Sequence, residues 1–400
     1  RVVAISVLAG FLNGAPAYAS PDYFSDAQQL AKQGEFSGAV IQLKNALQQN
    51  PKHADARRLL GQLYLKLGDG VSAEKELRHA LSLGLVSNEL EKDFFESLFV
   101  QGKYQEIINY DNDSEPSADA LTYRGLAFAA LNDHDRAKSA FEDALQLQPE
   151  HLKATVGLAG YLVANRQSEA AFELLDRYLA TRPKDAQALL ARGELKRISG
   201  NVDGAMADFE SVLLLQASNP KALIGTAYIL FSKGHLEEVE ARVLQLPDAL
   251  VPLPEAQYLL AVVRFQQQDF SKASEHTQAV LRLIPNHLQS QLLTGVISYM
   301  RQDYERAESH LSRVYQRLSP ATAGNIGKLL AVVYLRIGKP GKAIETLQSA
   351  AQANPDDVQI MALLGSAYLK NGDNSKGQHW LNAAIEKAPN QTGIRTQLAL

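Results

Sequence analysis

Cysteine is absent from all 400 residues, and this absence removes several kinds of chemistry at once. A chain without thiols forms no disulfide framework and carries no thiolate nucleophile, and it cannot ligate zinc or an iron–sulfur cluster through cysteine. Its absence also avoids mispaired thiols in an oxidising compartment, which is compatible with export from the cytoplasm.

An excess of charge of either sign is also missing. There are 40 Lys and Arg against 44 Asp and Glu, which gives a net charge of −4. Binding to phosphate backbones needs clustered basic residues, so this balance predicts no nucleic-acid partner. Hydrophobic residues make up 46% of the chain, which excludes a disordered polypeptide. No run beyond the N-terminus approaches about 18 apolar residues, so we expect no transmembrane segment in the mature chain.

Residues 1–19 have the pattern of a secretory signal peptide. An apolar stretch, Val2–Leu12, is broken by Asn13–Pro16 and followed by Ala17-Tyr18-Ala19, an A-x-A cleavage site before Ser20. The stretch is too short for a permanent membrane span. The alternative is a buried N-terminal helix, which explains the break and the small residues less well. The sequence therefore predicts an exported protein.

A period of 34 residues runs through the rest of the chain. We number each unit so that its first small residue stands at position 8; alanine or another small residue recurs at positions 20 and 27, and a large apolar residue at position 24. The position-8 residues are Ala27, Gly61, Phe95, Gly125, Ala159, Gly193, Ala227, Ala261, Gly295, Ala331 and Gly365. Small residues at positions 8 and 20 let two helices approach closely, and glycine with Asp or Asn suits the turn between them. The period predicts an all-α solenoid of about eleven helix-turn-helix hairpins over residues 20–391, stabilised by stacking.

Two places depart from the period. In the unit near 88–117, Phe95 and Ile107 replace small residues, and Asn109–Pro116 has the composition of a polar loop. We expect a local change of twist or a flexible point there. At the other end, residues 392–400 begin a further unit that we expect to be truncated.

Motifs for catalysis are missing from the sequence. It has no H-E-x-x-H, no G-x-S-x-G, no Walker loop and no dinucleotide fingerprint after a strand. Among the histidines, three end their units and two occupy equivalent positions on successive second helices: His53, His151 and His287, and His276 and His310. Helices packed about 8–10 Å apart cannot bring two such rings to one ion. We expect no enzyme, no cofactor and no metal site, and surface or edge positions for these histidines.

The residues of the 34-residue period resemble the tetratricopeptide repeat (TPR) family from about Pro21 onward. Gly38–Leu47 and Leu67–Leu77 are most similar to the PrsT family of TPR proteins, which belongs to the PEP-CTERM/exosortase system. The resemblance implies a right-handed superhelix and a place in the periplasm or cell envelope of a Gram-negative bacterium. It also implies a link to exopolysaccharide, because proteins of this family accompany exopolysaccharide gene clusters. Without cysteine there is no lipobox, so lipid anchoring is not expected.

The resemblance also implies that positions 2, 5, 9 and 12 line the concave surface made by the first helices. These positions are charged in the early units, apolar and aromatic in the middle units, and polar again at the end. The middle set is predicted to form a binding groove: Tyr228, Phe231, Tyr258, Val262, Phe265, Leu292, Val296 and Tyr299. The alternative is that these side chains only pack against neighbouring helices.

The predicted function is a periplasmic scaffold that mediates protein–protein interactions in PEP-CTERM/exosortase protein sorting, with envelope proteins or extended peptides as partners. One alternative is a polysaccharide-binding module of an exopolysaccharide export complex, since stacked aromatic rings also hold sugars. Another is a regulatory subunit, which would require a catalytic domain beyond residue 400.

Overall fold

The computed structural model of the chain describes residues 22–110, 115–319 and 323–389. Within these ranges there are twenty-two α-helices and one 3-10 helix, with no β-strand. The helices pair in chain order into eleven hairpins, which confirms the predicted all-α solenoid and its number of units. The signal peptide predicted for residues 1–19 and the truncated unit predicted for residues 392–400 lie outside the described residues.

The chain divides into two compact units, and the first comprises residues 1–183. Its described helices form five hairpins that stack in chain order. They are α1 (Tyr23–Gln33), α2 (Phe36–Gln49), α3 (Ala54–Lys66), α4 (Gly70–Ser82), α5 (Asn88–Val100), α6 (Tyr104–Asn109), α7 (Ala118–Ala130), α8 (His134–Leu147), α9 (Leu152–Ala164) and α10 (Ser168–Thr181).

The second unit comprises residues 184–400. Its described helices form six hairpins, and a short 3-10 helix (Asp248–Leu250) lies between the second and the third of them. They are α11 (Ala186–Ile198), α12 (Val202–Leu215), α13 (Pro220–Ser232), α14 (Leu236–Val243), α15 (Pro254–Gln266), α16 (Phe270–Leu283), α17 (Leu288–Met300), α18 (Tyr304–Tyr315), α19 (Gly324–Arg336), α20 (Pro340–Ala353), α21 (Val358–Lys370) and α22 (Asn374–Lys387).

The centre of a hairpin is the contact between position 8 of the first helix and position 24 of the second. A Cβ added to Gly61 would lie 2.5 Å from Cγ of Leu77, and one added to Gly193 would lie 2.8 Å from Cε1 of Phe209. Leu77 and Phe209 are both buried. Because side chains do not approach so closely, only a small residue at position 8 lets the two helices meet at this distance.

Phe141, at position 24 of the fourth hairpin, also joins that hairpin to the next. A Cβ added to Gly125 of the same hairpin would lie 2.7 Å from its ring, and one added to Gly157 of the following hairpin would lie 2.6 Å from it. The ring is therefore confined between two helix backbones. Phe209 is confined in the same way two hairpins later.

The third hairpin is the degenerate unit that the sequence predicts. Its second helix, α6, has only six residues and ends at Asn109, before position 24 is reached. Phe95 at position 8 is fully buried instead, with its ring centroid 5.2 Å from that of Tyr110 and 6.3 Å from that of Tyr123. In this hairpin the large buried side chain comes from the first helix rather than the second, which explains why position 8 is Phe95 and not a small residue.

The turn inside each of the eleven hairpins places position 15 in the left-handed backbone region. Seven of these residues are glycines and four are not: Gly34, Gly68, Gly102, Gly200, Gly234, Gly338 and Gly372, and Asn132, Arg166, Gln268 and Gln302. A side chain in this region costs about 1–2 kcal/mol relative to glycine. The period of the fold therefore forces the same strained conformation even where glycine is missing.

We expect Gly157→Ala to lower the free energy of unfolding by about 1–3 kcal/mol, because its methyl group would overlap the confined ring of Phe141. Gly160→Ala on the same helix is the matched control, since nothing lies within 4 Å of a Cβ at Gly160. That control should gain about 0.5–1 kcal/mol from helix propensity. Urea unfolding followed by circular dichroism measures both changes, and equal losses in the two variants would contradict the steric explanation.

We expect Gln268→Gly to raise the free energy of unfolding by about 0.5–1 kcal/mol, because it removes a side chain from a residue with φ of 61°. The reverse change at the equivalent position, Gly200→Gln, should destabilise the chain by about 1–2 kcal/mol. Both variants can be compared by urea unfolding. The interpretation fails if the two substitutions change stability in the same direction.

Candidate functional site

The first helices of the second unit form one face, and a groove of about 1100 Å³ runs across α11, α13, α15 and α17 on that face. Its lining comes largely from positions 2, 5, 9 and 12, the positions expected to face a ligand. These lining residues are Gln187, Leu190, Glu194, Arg197, Lys221, Ile224, Tyr228, Glu255 and Gln289. Polar side chains at position 2 of all four helices form one edge, and the apolar side chains at position 5 of α11 and α13 lie about one helical turn away from them.

One wall of the groove comes from a segment that is irregular in this hairpin, whereas most other hairpins continue their second helix over the equivalent positions. Helix α14 has only eight residues and ends at Val243. The following segment, residues 244–253, contains the short 3-10 helix and contributes Leu250 and Leu253 to the lining. The groove therefore lies where a second helix is cut short and an irregular segment replaces its last turns.

Sequence reasoning did not predict this shortened helix, although a signal for it is present. Position 20 of this hairpin is Val239, where most other units have alanine. Two prolines follow, Pro247 and Pro252, within the stretch where the second helix would end. Together these departures mark the unit as irregular, even though its 34-residue spacing is intact.

The polar side chains of the groove fall into a paired and an unpaired group. Arg197 donates to both carboxylate oxygens of Glu194, at 2.9 and 2.6 Å. By contrast, Lys221 and Glu255 are exposed, and neither has an oppositely charged side chain within 4 Å among the residues that the structure describes. These two side chains are free to contact a ligand.

Tyr228 is the aromatic residue of the groove that the sequence predicts. It is half-buried, and burial raises the pKa of its hydroxyl to about 12, with the nearby carboxylate of Glu255 adding to the effect. The phenol therefore stays protonated at neutral pH and can donate a hydrogen bond to a ligand.

The other members of the predicted site are placed differently. Val262 is buried, with 7% of its surface exposed. Phe265 and Tyr299, at position 12, pack on the first residue of their own second helices: their ring centroids lie 5.7 Å from Phe270 and 6.0 Å from Tyr304. These two aromatic residues thus support the turn of their hairpins.

The remaining four predicted residues are half-buried on first helices outside the groove lining. Tyr258 meets the edge of His287, with ring centroids 5.6 Å apart. Leu292 packs against a core cluster formed by its own hairpin and the two that follow. The other two are Phe231 and Val296. The structure thus brings Tyr228 into the groove and distributes the rest of the set between hairpin packing and the neighbouring surface.

The first-helix face of the first unit is charged, as the sequence predicts, and its polar groups bond to one another across hairpins. Gln62 Nε2 donates to a carboxylate oxygen of Asp93 at 2.5 Å. The hydroxyl of Tyr123 donates to Glu96 at 2.9 Å and accepts from Lys153 Nζ at 2.6 Å. These bonds tie successive first helices together and occupy polar groups that a ligand would otherwise contact.

The three histidines that end their units are helix caps. Nδ1 of His53, His151 and His287 accepts from the backbone N–H three residues later, at 3.4, 3.2 and 3.3 Å. Other units use Ser, Asp or Asn at this position, the usual N-cap residues. Across residues 22–110, 115–319 and 323–389, no group of three His, Asp or Glu could hold a metal ion. No helix in these ranges has the length and apolar character that crossing a bilayer requires.

Family profiles match more than half of the chain. Two models, both described as "Tetratricopeptide repeat", cover residues 30–83, 128–195 and 334–398 in one case and residues 254–323 in the other. Among curated proteins, the chain is similar to Tetratricopeptide repeat protein 16 of Homo sapiens, with 24% identity over 52% of this chain and 30% of that protein. The Macaca fascicularis protein of the same name is 26% identical over 54% of this chain and 27% of its own length. The chain thus spans less than a third of these relatives.

Several solved structures are also similar. The Cut9–Hcn1 hetero-tetramer of the APC/C has a TM-score of 0.44 and 13% identity, covering 93% of this chain and 94% of that chain. A tetratricopeptide repeat protein from Parabacteroides merdae has a TM-score of 0.36 and 16% identity, with 70% and 97% coverage. Human IFIT1 with m7Gppp-AAAA has a TM-score of 0.49 and 14% identity, with 84% and 90% coverage. None of these three likenesses bears on function.

We expect the second unit to lose stability as the pH falls below about 6.5, the pKa of histidine in an unfolded chain. Burial lowers the pKa values of His276, His287 and His310 in the folded chain. The unfolded state therefore binds more protons, and the free energy of unfolding decreases as the pH falls through this range. Urea unfolding at pH 7.5, 6.5 and 5.5 measures the slope.

His287→Asn is the matched variant for this prediction, because Asn219 already caps α13 at the equivalent position. Asparagine keeps the cap acceptor but does not titrate, so the slope of stability against pH should be smaller. A slope identical to that of the original chain would show that protonation of His287 does not weaken the cap.

Proposed function

The chain belongs to the tetratricopeptide repeat family, and from this premise we propose that it is a non-enzymatic scaffold that holds a segment of another protein in the groove of its second unit. The groove is the observation that supports this proposal. It joins an apolar row, which includes Leu190 and Ile224 of two successive hairpins, to a polar edge with unpaired charges that continues over four hairpins. A linear partner can contact equivalent positions on successive hairpins, which is how a solenoid binds an elongated ligand.

The proposed setting is the cell envelope of a Gram-negative bacterium, after export of the chain to the periplasm. The support is the signal-peptide pattern of residues 1–19 and the resemblance of residues 38–47 and 67–77 to the PrsT family. In that setting the scaffold would serve exopolysaccharide-associated protein sorting of the PEP-CTERM/exosortase type. Its partners would be envelope proteins, presented as segments that have no helix or sheet of their own.

A polysaccharide in the same groove is the second candidate. The half-buried ring of Tyr228 lines the same groove as side chains that both donate and accept hydrogen bonds, including Gln187 and Gln289. Such a surface can stack on a sugar ring and bond its hydroxyl groups. The apolar row formed by Leu190, Ile224, Leu250 and Leu253 favours a polypeptide, because a sugar chain offers little apolar surface to bury there.

We expect the purified chain to bind members of a random octapeptide library, and Tyr228→Ala to weaken that binding about tenfold, as the loss of an aromatic anchor does. Fluorescence anisotropy with selected peptides gives the dissociation constants. Oligosaccharides cut from envelope polysaccharide, tested in the same assay, separate the two candidates. Retention of oligosaccharide without any peptide would replace the protein-scaffold proposal with the polysaccharide module.

Tyr258→Ala provides the matched comparison, since Tyr258 lies on the next first helix but packs on His287 outside the groove lining. Loss of affinity only in Tyr228→Ala would localise the site to the groove. Equal loss in both variants would extend the site to the wider set of residues predicted from the sequence. Unchanged affinity in Tyr228→Ala would contradict binding in this groove.

A further inference from the structure

The polar edge of the groove suggests what kind of segment it accepts, and this inference rests on the function proposed above. We infer that the groove selects a segment in the polyproline II conformation that carries an acidic and a basic side chain three residues apart, facing Lys221 and Glu255. Two observations support it, unpaired amides and two unpaired charges, together with the spacing expected for packed helices.

The unpaired side-chain amides of the groove can form hydrogen bonds with the backbone of the partner. Position 2 of the four groove helices reads Gln187, Lys221, Glu255 and Gln289, and all four side chains are exposed. The side-chain amides of the two glutamines have no hydrogen-bond partner among the residues described. A carboxamide can donate to a peptide carbonyl and accept from a peptide N–H. An α-helix has already used these backbone groups, whereas a polyproline II segment has no internal hydrogen bonds. The amides therefore favour the extended partner.

The spacing of the hairpins selects among extended conformations. Packed helices lie about 8–10 Å apart, so equivalent positions on α13 and α15 should be separated by about that distance. A polyproline II segment has three residues per turn and rises about 3.1 Å per residue, so residues i and i+3 share one face about 9 Å apart. A β-strand presents residues on one face about 7 or 13 Å apart, which matches less well.

The two charges set the pattern along the segment. Lys221 stands on α13 and Glu255 on α15, at the same position of successive hairpins. Neither is neutralised within the described chain, whereas Glu194 and Arg197 of the same groove already pair with each other. An acidic side chain of the partner would pair with Lys221 and a basic one with Glu255. Like charges at either place would be repelled, so the edge selects against uniformly acidic or basic segments.

The experiment uses four octapeptide probes and the whole chain. The matched probe is VPEVPKVP, in which Glu and Lys are three residues apart; VPEVPEVP and VPKVPKVP carry like charges, and VPEVKPVP shortens the spacing to two. We expect the matched probe to bind roughly two- to fivefold more tightly than each of the others, as expected for exposed ion pairs. Raising the salt from 0.1 to 1 M should remove most of the difference, because the Debye length falls to about 3 Å.

Charge-reversal variants provide the decisive comparison. Lys221→Glu should prefer the Lys–Lys probe, and Glu255→Lys should prefer the Glu–Glu probe. The double variant should again prefer the matched probe, bound in the opposite direction, and circular dichroism of each variant shows that it is folded. Binding of all four probes with equal affinity would overturn this inference and leave the proposed groove intact. If the original chain bound no probe and no library peptide, the proposed function itself would fail.

Discussion

The contact between position 8 and position 24 is the constraint on which the rest of the fold depends. Outside the third hairpin, each first helix offers a residue without a large side chain, and each second helix fills the space with one buried group, as in the pair Gly61 and Leu77. The contact fixes how closely the two helices approach, and hence how a hairpin presents its outer surfaces to its neighbours. Because Phe141 meets glycines of two hairpins, the same contact also fixes how hairpins stack.

The two irregular hairpins show what happens when the second helix is too short for this arrangement. In the third hairpin, α6 ends early, and Phe95 fills the centre from the first helix. In the seventh, α14 is long enough to place Val243 at position 24, buried with 1% exposure, but not to continue beyond it. The core is kept in both cases. The helix is lost instead in the last turns of the second helix, where the backbone departs from the geometry of the other repeats.

Much of the fold could be predicted from the sequence because close packing acts on residue size, and size is visible in the one-letter code. The 34-residue period gave the helix type, the number of hairpins and the degenerate unit around Phe95. The groove was harder to predict, since the spacing around α14 stays regular while the helix itself is short. The aromatic residues of position 12 were ambiguous for another reason. Phe265 and Tyr299 pack on aromatic residues at the start of their own second helices. Whether a position-12 ring packs there or faces a ligand therefore depends on the residue five positions later in the sequence.

The same division between core and edge explains how such an array can acquire a specific partner. Position 8 is buried or packed in every hairpin, so it tolerates little change, whereas position 2 is exposed in four successive hairpins of the groove. Substitutions at Lys221 or Glu255 therefore alter the charge pattern without touching the helix contacts that hold the array together. The repeat supplies a fixed spacing of side-chain positions along the groove, and the exposed edge supplies the chemistry placed at those positions. A scaffold built in this way can change its ligand without changing its fold.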